Sequence, residues 1–350
     1  MRLAPTLLLA VLCLADIAHA APEELPTPLR SELDQRTRAV SFSGVALVAH
    51  DGEVLYETAH GEADRSRHVM NTVDTKFRFG SLGKMFTAVA ILQLEQAGRL
   101  ELDDPLGKFL PNYPNGAQAR ATLHQLLTHT AGAGDIFGPG FDDHRAELKR
   151  LEDYVRAFGS REPGFPPGER HEYSNYGYIL LGRVIETVSG QSYADYVRSH
   201  IFAPTGMKST DNLPEESHVV GLAVPYSGER SVEDRLPWSG TSAGGGYTTA
   251  RDLLAFAIAL RSGILLDRAH VDLLLTGKID TPRPGLRYAY GFEDARLPDG
   301  KRRVGHGGGA PGMNAVLSIF ADTGYVVVTL ANMDPPAAME IDRAASRLLP

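Results

Sequence analysis

Residues 44–60, GVALVAHDGEVLYETAH, contain two runs rich in apolar and β-branched residues, separated by Asp51-Gly52. An aspartate–glycine pair between apolar runs favours a tight turn, because both residues tolerate the backbone conformations that such turns require. We therefore expect antiparallel strands over Gly44–Ala49 and Glu53–His60, joined as a hairpin. This stretch places antiparallel sheet near the start of the chain.

The C-terminal part of the chain repeats this pattern of short strands and turns. Residues 298–300, Pro-Asp-Gly, and residues 321–324, Ala-Asp-Thr-Gly, are turn sequences that separate the apolar runs. The strand candidates are Tyr290–Arg296, Arg302–His306, Asn314–Phe320 and Tyr325–Ala331. The amphipathic pattern of Ala337–Leu349 predicts a final helix.

The middle of the chain has mainly helical patterns. Residues Leu82–Ala97 are apolar on most faces and stop at Gly98, which predicts a buried helix. Further helices are predicted at Leu29–Arg38, Leu123–Leu127, Arg145–Phe158, Asn175–Val188, Ser192–Ile201 and Ala250–Ser262. The predicted fold class is α/β (α+β). An antiparallel β-sheet from the N- and C-terminal segments (residues 40–80 and 285–349) is flanked by helices, with an inserted mainly helical region at 81–284.

The N-terminus has the features of a secretory signal peptide. Arg2 is followed by an apolar run over Leu7–Leu14 and by a small-residue cleavage site at residues 18–20, so we expect cleavage after Ala20. The expected domain plan is a signal peptide at 1–20, a lead-in at 21–32 and one domain at 33–349. No later run is long and apolar enough for a transmembrane helix. The predicted location is periplasmic or secreted.

Composition excludes some classes of partner and cofactor. The formal net charge of −8, with scattered Lys and Arg residues, argues against nucleic-acid binding. The only cysteine, Cys13, lies in the predicted signal peptide, so the mature chain is expected to have no disulfide or thiolate ligand. His124, His129 and His144 match no metal-ligand spacing. The sequence therefore predicts neither a metal nor a cofactor.

Residues 79–84, FGSLGK, place Ser81 at the start of the predicted buried helix and Lys84 three residues later. At this spacing the two side chains lie on one helix face. A serine hydroxyl becomes an effective nucleophile when a base takes its proton, and a desolvated lysine can help to do so. A chain of this length contains about one Ser-x-x-Lys match by chance. The motif alone is therefore also compatible with a capping serine and a solvent-facing lysine.

Two further segments carry candidate site residues. Tyr173-Ser174-Asn175 follows a Pro/Gly-rich loop and precedes a predicted helix, so its phenol and amide would project into a cleft. The earlier segment Tyr113-Pro114-Asn115 has the same pattern. Residues 305–309, GHGGG, lie on a strand candidate whose glycines would let a substrate backbone approach closely. Plainer interpretations are a helix-capping turn and a glycine-rich turn.

In combination, these segments resemble the serine β-lactamase-like family. The resemblance is greatest to the branch that holds class C β-lactamases, D-alanyl-D-alanine carboxypeptidases, D-aminopeptidases and related esterases. The family motifs Ser-x-x-Lys, Tyr-x-Asn and Lys/His-x-Gly correspond here to Ser81–Lys84, Tyr173–Asn175 and His306–Gly308, in the family's order. The family's tyrosine motif follows a Leu-Leu-Thr-His-Thr segment, here Leu126–Thr130, which excludes the earlier tyrosine match. The resemblance covers residues 33–349 and implies a β-lactamase/transpeptidase-like fold.

The resemblance implies roles for the first two motifs. Ser81 would attack the substrate carbonyl, and Lys84 and Tyr173 would share the proton transfers. Which of the two is the principal base stays open. Asn175 would hold Lys84 and a substrate amide.

The third motif would supply substrate contacts from His306, Gly308 and Gly309. The backbone N–H groups of Ser81 and Gly309 would form an oxyanion hole. Class C β-lactamases usually carry lysine where this chain has His306, and histidine is mostly neutral at pH 7. This difference favours an esterase, a D-amino-acid peptidase or a D-alanyl-D-alanine carboxypeptidase over a β-lactamase.

The predicted function is that of an exported serine hydrolase that cleaves an ester or a peptide-like amide through an acyl-enzyme. A small-molecule substrate is expected, and a cell-wall peptide is one candidate. The alternatives are a class C-type β-lactamase and a catalytically silent penicillin-binding or regulatory module of the same fold. Trp238, Tyr226 and Tyr247 are candidates either for lining the cleft or for packing. The sequence does not indicate an oligomeric state.

Overall fold

The computed structural model describes residues 24–39, 42–214, 217–233, 237 and 239–350. The predicted signal peptide with Cys13, the first part of the lead-in and Trp238 lie outside these residues. In chain order, the strands are β1 (Gly44–His50), β2 (Glu53–His60), β3 (Glu62–Asp64), β4 (Val69–Met70), β5 (Phe77–Arg78), β6 (Tyr226–Ser227), β7 (Arg230–Ser231), β8 (Tyr247–Thr248), β9 (Ile279–Asp280), β10 (Leu286–Tyr288), β11 (Glu293–Arg296), β12 (Arg302–Ala310), β13 (Met313–Phe320) and β14 (Tyr325–Ala331).

The helices lie mostly between the two groups of strands. They are α1 (Thr27–Thr37), α2 (Gly83–Gln96), α3 (Leu106–Phe109), α4 (Gly116–Ala119), α5 (Leu123–Leu127), α6 (Pro139–His144), α7 (Leu151–Phe158), α8 (Asn175–Ser189), α9 (Tyr193–Val197), α10 (Ala203–Thr205), α11 (Ala250–Arg261), α12 (Arg268–Leu275) and α13 (Ala337–Leu348). A 3₁₀ turn (Gly80–Leu82) precedes α2. Within the described ranges, no helix combines the length and the apolar character needed to span a bilayer.

A sheet of eight strands organises the fold, in the order β2-β1-β14-β13-β12-β11-β10-β9. Neighbouring strands are antiparallel throughout. β1 pairs with β14, with Gly44 opposite Ala331 and His50 opposite Tyr325, so the two ends of the chain are joined within one sheet. The predicted antiparallel sheet, built from the N- and C-terminal segments and flanked by helices, is confirmed.

Both faces of the sheet are buried, because successive strand residues alternate between two apolar clusters. In β1, Val45 and Leu47 belong to the large core on the side of α2 and α8. Ala46 and Val48 belong to a smaller cluster that contains residues of α1 and α13. This burial on two faces explains why β1 is apolar at almost every position instead of alternating with polar residues.

α2 runs through the large core and positions the segment from Ser81 to Lys84. Its residues from Met85 to Leu92 are all inaccessible to solvent. The Phe86 ring makes edge-on contacts with the rings of Phe79, Phe202 and Phe256, at centroid distances of 5.5, 5.1 and 4.9 Å. A helix that is apolar on most faces is stable only inside a core. The prediction of a buried helix here is confirmed.

The predicted helix over Arg145–Phe158 is wrong in its first half. α7 begins at Leu151, because the Asp153 carboxylate accepts the backbone N–H groups of Lys149 and Arg150 at 3.1 and 2.7 Å. A carboxylate in the first turn that binds the preceding N–H groups stabilises a helix start at that point. The apolar periodicity that extended the prediction backwards includes Leu148, which is buried without being helical.

Two other predicted boundaries differ from the structure. The predicted strand Tyr290–Arg296 begins only at Glu293, because the Ala289 N–H donates to the Phe292 carbonyl at 2.8 Å and closes a turn. The predicted helix Ser192–Ile201 is α-helical only to Val197 and then continues as a π-helical turn. Both differences arise from local backbone hydrogen bonds that hydrophobic periodicity does not report.

Asn314 connects the C-terminal helix to the strand that carries the third motif. Its Oδ1 accepts the N–H groups of Ala338 and Met339, at 2.8 and 3.3 Å, and thereby caps the first turn of α13. Its Nδ2 donates to the Gly308 carbonyl in β12 at 2.9 Å. The side chain is 1% exposed, so water does not replace these bonds when they are lost.

Asn314→Ala is expected to lower the free energy of unfolding by about 2–3 kcal/mol, since it leaves buried donors and an acceptor unsatisfied. Urea denaturation of both proteins measures the change. An unchanged midpoint and slope would show that this side chain does not connect α13 to β12.

Candidate active site

The segment around Ser81 is a sharp turn between a strand and the buried helix. β5 is followed by Gly80, whose φ of +53° is unfavourable for residues with a side chain. The 3₁₀ turn then places Ser81 immediately before α2. Its side chain is partly exposed and lines a cavity of about 540 Å³. The predicted nucleophile is therefore accessible to a substrate.

Lys84 lies directly below Ser81 and is inaccessible to solvent. Its Nζ lies 2.7 Å from Asn175 Oδ1, 2.5 Å from the Ala243 carbonyl oxygen and 3.3 Å from Ser81 Oγ. Burial lowers the pKa of Lys84 to about 7, an effect that the negative charge of Asp135 partly offsets. The amine is therefore close to half neutral at neutral pH.

Tyr173 covers Lys84 from the cavity side. Lys84 Nζ lies 4.8 Å from the centre of the Tyr173 ring. Tyr173 is 38% exposed and lines the cavity. Desolvation of the phenol by the surrounding protein raises its pKa far above the ordinary value, and a hydrogen bond with Ser81 lowers it only in part. Tyr173 thus remains a neutral phenol in contact with the Ser81 hydroxyl.

Asn175 connects the lysine to an acidic residue that sequence reasoning missed. It is the first residue of α8, and Ser174 caps that helix by accepting the Gly177 N–H at 2.9 Å. While Asn175 Oδ1 accepts from Lys84, its Nδ2 donates to Asp135 Oδ1 and Oδ2 at 2.9 and 3.1 Å. These bonds fix the orientation of the amide and place a carboxylate one side chain away from Lys84.

The third motif lies against the Ser81 turn. A Cβ added at Gly308 would lie 2.2 Å from the Phe79 carbonyl oxygen, so β12 and the turn can be this close only because residue 308 is glycine. Gly309 follows and lines the same cavity as Ser81. The structure thus brings together Ser81, Lys84, Tyr173, Asn175 and Gly309, while Gly308 packs behind the cavity wall.

His306 is not among the residues that line this cavity. It is 5% exposed, and its ring hydrogen-bonds with the Gly307 carbonyl through Nδ1 and with the Tyr288 hydroxyl through Nε2, at 2.5 and 3.0 Å. The carbonyl requires a proton on Nδ1, which leaves Nε2 to accept from the phenol. Burial lowers the pKa of His306 to about 4. At neutral pH the ring is uncharged and directed toward Tyr288.

His129, which the sequence places in the family-like segment Leu126–Thr130 and not in a metal site, supports Tyr173 from behind. Its ring centroid lies 4.4 Å from that of Tyr173 and 4.5 Å from that of Tyr288. Its Nδ1 accepts the Ser174 N–H at 3.1 Å, and its φ is +59°. Burial places the pKa of His129 well below its ordinary value. A strained backbone and a buried neutral ring thus hold the start of the tyrosine segment in place.

The other residues singled out from the sequence lie elsewhere. His124 Nδ1 hydrogen-bonds with the Tyr290 hydroxyl at 2.7 Å, and His144 lies 3.6 Å from the Glu147 carboxylate. Tyr226 and Tyr247 are buried packing residues that do not line the cavity. Among the described residues, no group of three or more histidine, cysteine or acidic side chains is arranged to hold a metal ion.

Together, the antiparallel sheet, the buried helix behind Ser81 and the lysine–asparagine–tyrosine arrangement define a β-lactamase/transpeptidase-like fold and site. The Beta-lactamase family model matches residues 29–349. The chain belongs to this family.

Comparisons with individual proteins agree. Penicillin-binding protein 4 of Amycolatopsis lactamdurans is 31% identical over 313 residues, which cover 83% of this chain and 80% of the relative. A crystal structure of a penicillin-binding protein from Bacillus halodurans superimposes with a TM-score of 0.83 and 29% identity, covering 92% of this chain and all of that one. A D-stereospecific amidohydrolase from Streptomyces sp. gives a TM-score of 0.78 and 28% identity, with 90% and 97% coverage.

The rate at which an activated ester modifies Ser81 is expected to rise with pH with a midpoint near 7, where Lys84 loses its proton. Neutral Lys84 can accept the hydroxyl proton, whereas the ammonium form cannot. Stopped-flow measurement of the p-nitrophenol burst from p-nitrophenyl butyrate, with Ser81→Ala as the background, gives this profile.

Asn175→Asp provides a second test, because a carboxylate beside Lys84 stabilises the ammonium form and is expected to move the midpoint upward. A profile without a midpoint between pH 6 and 8 in the unaltered protein would contradict the assignment.

Proposed function

We propose that this protein is an exported serine hydrolase that forms an acyl-enzyme at Ser81 and hydrolyses an ester or a peptide-like amide. The observation that carries the proposal is the contact between the accessible Ser81 hydroxyl and the fully buried Lys84 amine, 3.3 Å apart. A silent binding module would have no need of a buried lysine, whose desolvation destabilises its charged form.

Hydrogen-bond donors and acceptors around Lys84 support it as the principal base. An ammonium group has three donors, whereas a neutral amine has two donors and one lone pair. The Asn175 and Ala243 oxygens, at 2.7 and 2.5 Å, take up two donors. The lone pair of the neutral amine then faces the Ser81 hydroxyl, so Lys84 accepts the proton as Ser81 Oγ bonds to the substrate carbonyl carbon.

Tyr173 is assigned the transfer of this proton to the leaving group. Its raised pKa keeps it a neutral phenol, which makes it a poor base but a good relay. As the carbonyl–leaving-group bond breaks, the phenol gives its proton to the departing oxygen or nitrogen and regains one from Lys84. Because Tyr173 lines the cavity, a leaving group can reach its hydroxyl.

The carbonyl oxygen is assigned to the backbone N–H groups of Ser81 and Gly309. Both residues line the cavity, and the glycine at position 308 lets β12 approach the Ser81 turn. Removing one such donor typically costs a few kcal/mol of transition-state stabilisation. A water molecule, deprotonated by the same lysine, then attacks the acyl carbon. As the bond between that carbon and Ser81 Oγ breaks, Lys84 returns the proton to Oγ and the acid is released.

Cleavage of amides or esters is favoured over cleavage of β-lactams because, within the described residues, no basic side chain lines the cavity to bind a β-lactam carboxylate. His306 is neutral and directed toward Tyr288, so it does not supply that charge. The similarity to a D-stereospecific amidohydrolase supports amide cleavage. The similarity to penicillin-binding proteins keeps slow acylation by penicillin as the second candidate.

Mature protein is expected to hydrolyse p-nitrophenyl butyrate and, in samples quenched early, to carry one butyryl group. Ser81→Ala is expected to abolish both turnover and adduct. Lys84→Met is expected to reduce acylation about a hundredfold or more, because it removes the base while keeping the chain length. Intact-mass spectrometry and absorbance measure the two effects.

Thermal unfolding of Lys84→Met serves as the folding control, since an apolar side chain suits this buried position. Equal hydrolysis by all three proteins, with no adduct, would overturn the proposal and favour the silent binding module. Rapid turnover of benzylpenicillin, rather than a long-lived adduct or none, would favour the β-lactamase alternative.

A further inference from the structure

Among the described residues, the charged side chains that line the cavity beside Ser81 are all acidic. Asp135 and Asp142 line it, and no Lys, Arg or His side chain does so among the described residues. The rest of the lining is mainly apolar, with Ile136, Phe137 and Met313 among its members. A cavity with carboxylates and no cation repels an anionic substrate and attracts a cationic one.

Three basic groups near the cavity have contacts other than the Asp135 carboxylate. Lys84 lies below the cavity floor, where burial lowers its pKa to about 7. His306 is neutral and hydrogen-bonded away from the cavity. Arg161 donates to the backbone carbonyl of Asp135 at 2.8 Å and lies 4.0 Å from the centre of the Phe158 ring. Within the part of the chain that the structure describes, Arg161 therefore contacts this carbonyl and this ring and forms no ion pair with the Asp135 carboxylate.

The Asp135 carboxylate is fixed in place and keeps unused acceptor capacity. Oδ1 accepts the N–H groups of Ile136 and Phe137 at 2.6 and 3.2 Å, together with the amide of Asn175 at 2.9 Å. Among the described residues, Oδ2 accepts a hydrogen bond only from the Asn175 amide, at 3.1 Å. A carboxylate oxygen can accept at least two hydrogen bonds, so Oδ2 can bind a further donor. The side chain is exposed on the cavity wall, where a substrate can supply that donor.

Hydrogen bonds connect the Asp135 carboxylate to the residues that are proposed to carry out the reaction. Only the Asn175 amide lies between Asp135 and Lys84, and Lys84 contacts Ser81. Asp135 and Ser81 also line the same cavity, so a substrate whose carbonyl lies at Ser81 can place a nearby donor at Oδ2. In an amino-acid amide or ester, the free amino group is separated from that carbonyl by one carbon atom.

We propose that Asp135 binds the protonated amine of the acyl group, so that the substrates are amides or esters of amino acids with a free amino group. This inference rests on the proposed hydrolase function of Ser81. The apolar side chains beside Asp135 would then receive an apolar amino-acid side chain. A charge-assisted hydrogen bond of this kind is stronger than one between neutral groups.

The test compares phenylalanine p-nitroanilide, as each enantiomer, with hydrocinnamoyl p-nitroanilide, which has the same acyl skeleton without the amine. For the faster enantiomer, kcat/KM is expected to exceed that of the amine-free compound by about tenfold or more. Asp135→Asn, which removes the charge but keeps the shape, is expected to reduce this ratio by about tenfold.

Asp143→Asn is the matched control, because it removes an equal charge from an exposed residue of α6 that does not line the cavity. Its ratio is expected to stay unchanged. A ratio near one in the unaltered protein, an unchanged ratio in Asp135→Asn, or an equal loss in Asp143→Asn would overturn the inference.

Hydrolysis of p-nitrophenyl butyrate distinguishes failure of the proposed hydrolase function from failure of the role of Asp135. If the protein forms the butyryl adduct but does not prefer the amine-bearing anilides, or cleaves neither anilide, the hydrolase function stands and the role of Asp135 is wrong. If no adduct forms at Ser81 with any of these compounds, the proposed function fails and the inference fails with it.

Discussion

The burial of the Lys84 amine is the constraint on which the rest of the site depends. An ammonium group that is removed from water is destabilised, and here this effect lowers the pKa of Lys84 to about 7. An exposed lysine three residues after a serine would stay charged and could not accept a proton. The large core around α2 therefore acts directly on the ionisation of this amine, because it excludes water from it. The packing that stabilises the fold is thus the same packing that keeps the Lys84 amine away from water.

Several elements have to meet for Lys84 to be buried and still bonded. α2 supplies the lysine, the start of α8 supplies the Asn175 oxygen, and the loop before β8 supplies the Ala243 carbonyl. Thr87 of α2 holds that loop by donating to the Ser242 carbonyl at 2.7 Å. At Gly244 (φ +143°), an added Cβ would lie 2.5 Å from the Gly80 carbonyl oxygen. These close approaches explain why glycines surround the site: larger residues would separate the loop, β12 and the Ser81 turn.

The sequence predicted the sheet and the main helices because their apolar periodicity and turn residues are local signals. The Ser81, Lys84, Tyr173 and Asn175 assembly could be anticipated only by combining three motifs with a family resemblance, since each motif alone had a structural explanation. The structure brings these residues into contact, while their catalytic roles stay predictions. Asp135 gave no signal, because a single aspartate in a glycine-containing loop has no characteristic spacing.

The orientation of His306 also could not be predicted. Its direction depends on Tyr288, a residue of the neighbouring sheet region that no motif connects to it. Similarly, the sequence argues against a metal site at His129 but does not indicate its contacts, which are with aromatic rings behind Tyr173. Histidine serves as a ligand, an acid, a base or a neutral packing group, and burial decides among these roles. Burial depends on the whole fold, so a short sequence motif does not indicate it.

The most direct test of this account is the ionisation state of Lys84 in the folded protein. Nitrogen-15 NMR of protein labelled at the lysine side chains, with Lys84→Met to assign the resonance, follows the proton on Nζ as the pH is changed. If burial desolvates the amine, Lys84 titrates near pH 7, well below the ordinary lysine value of 10.5. Titration together with the exposed lysines near that ordinary value would contradict it, because Lys84 would then be an ammonium at neutral pH and no base for Ser81.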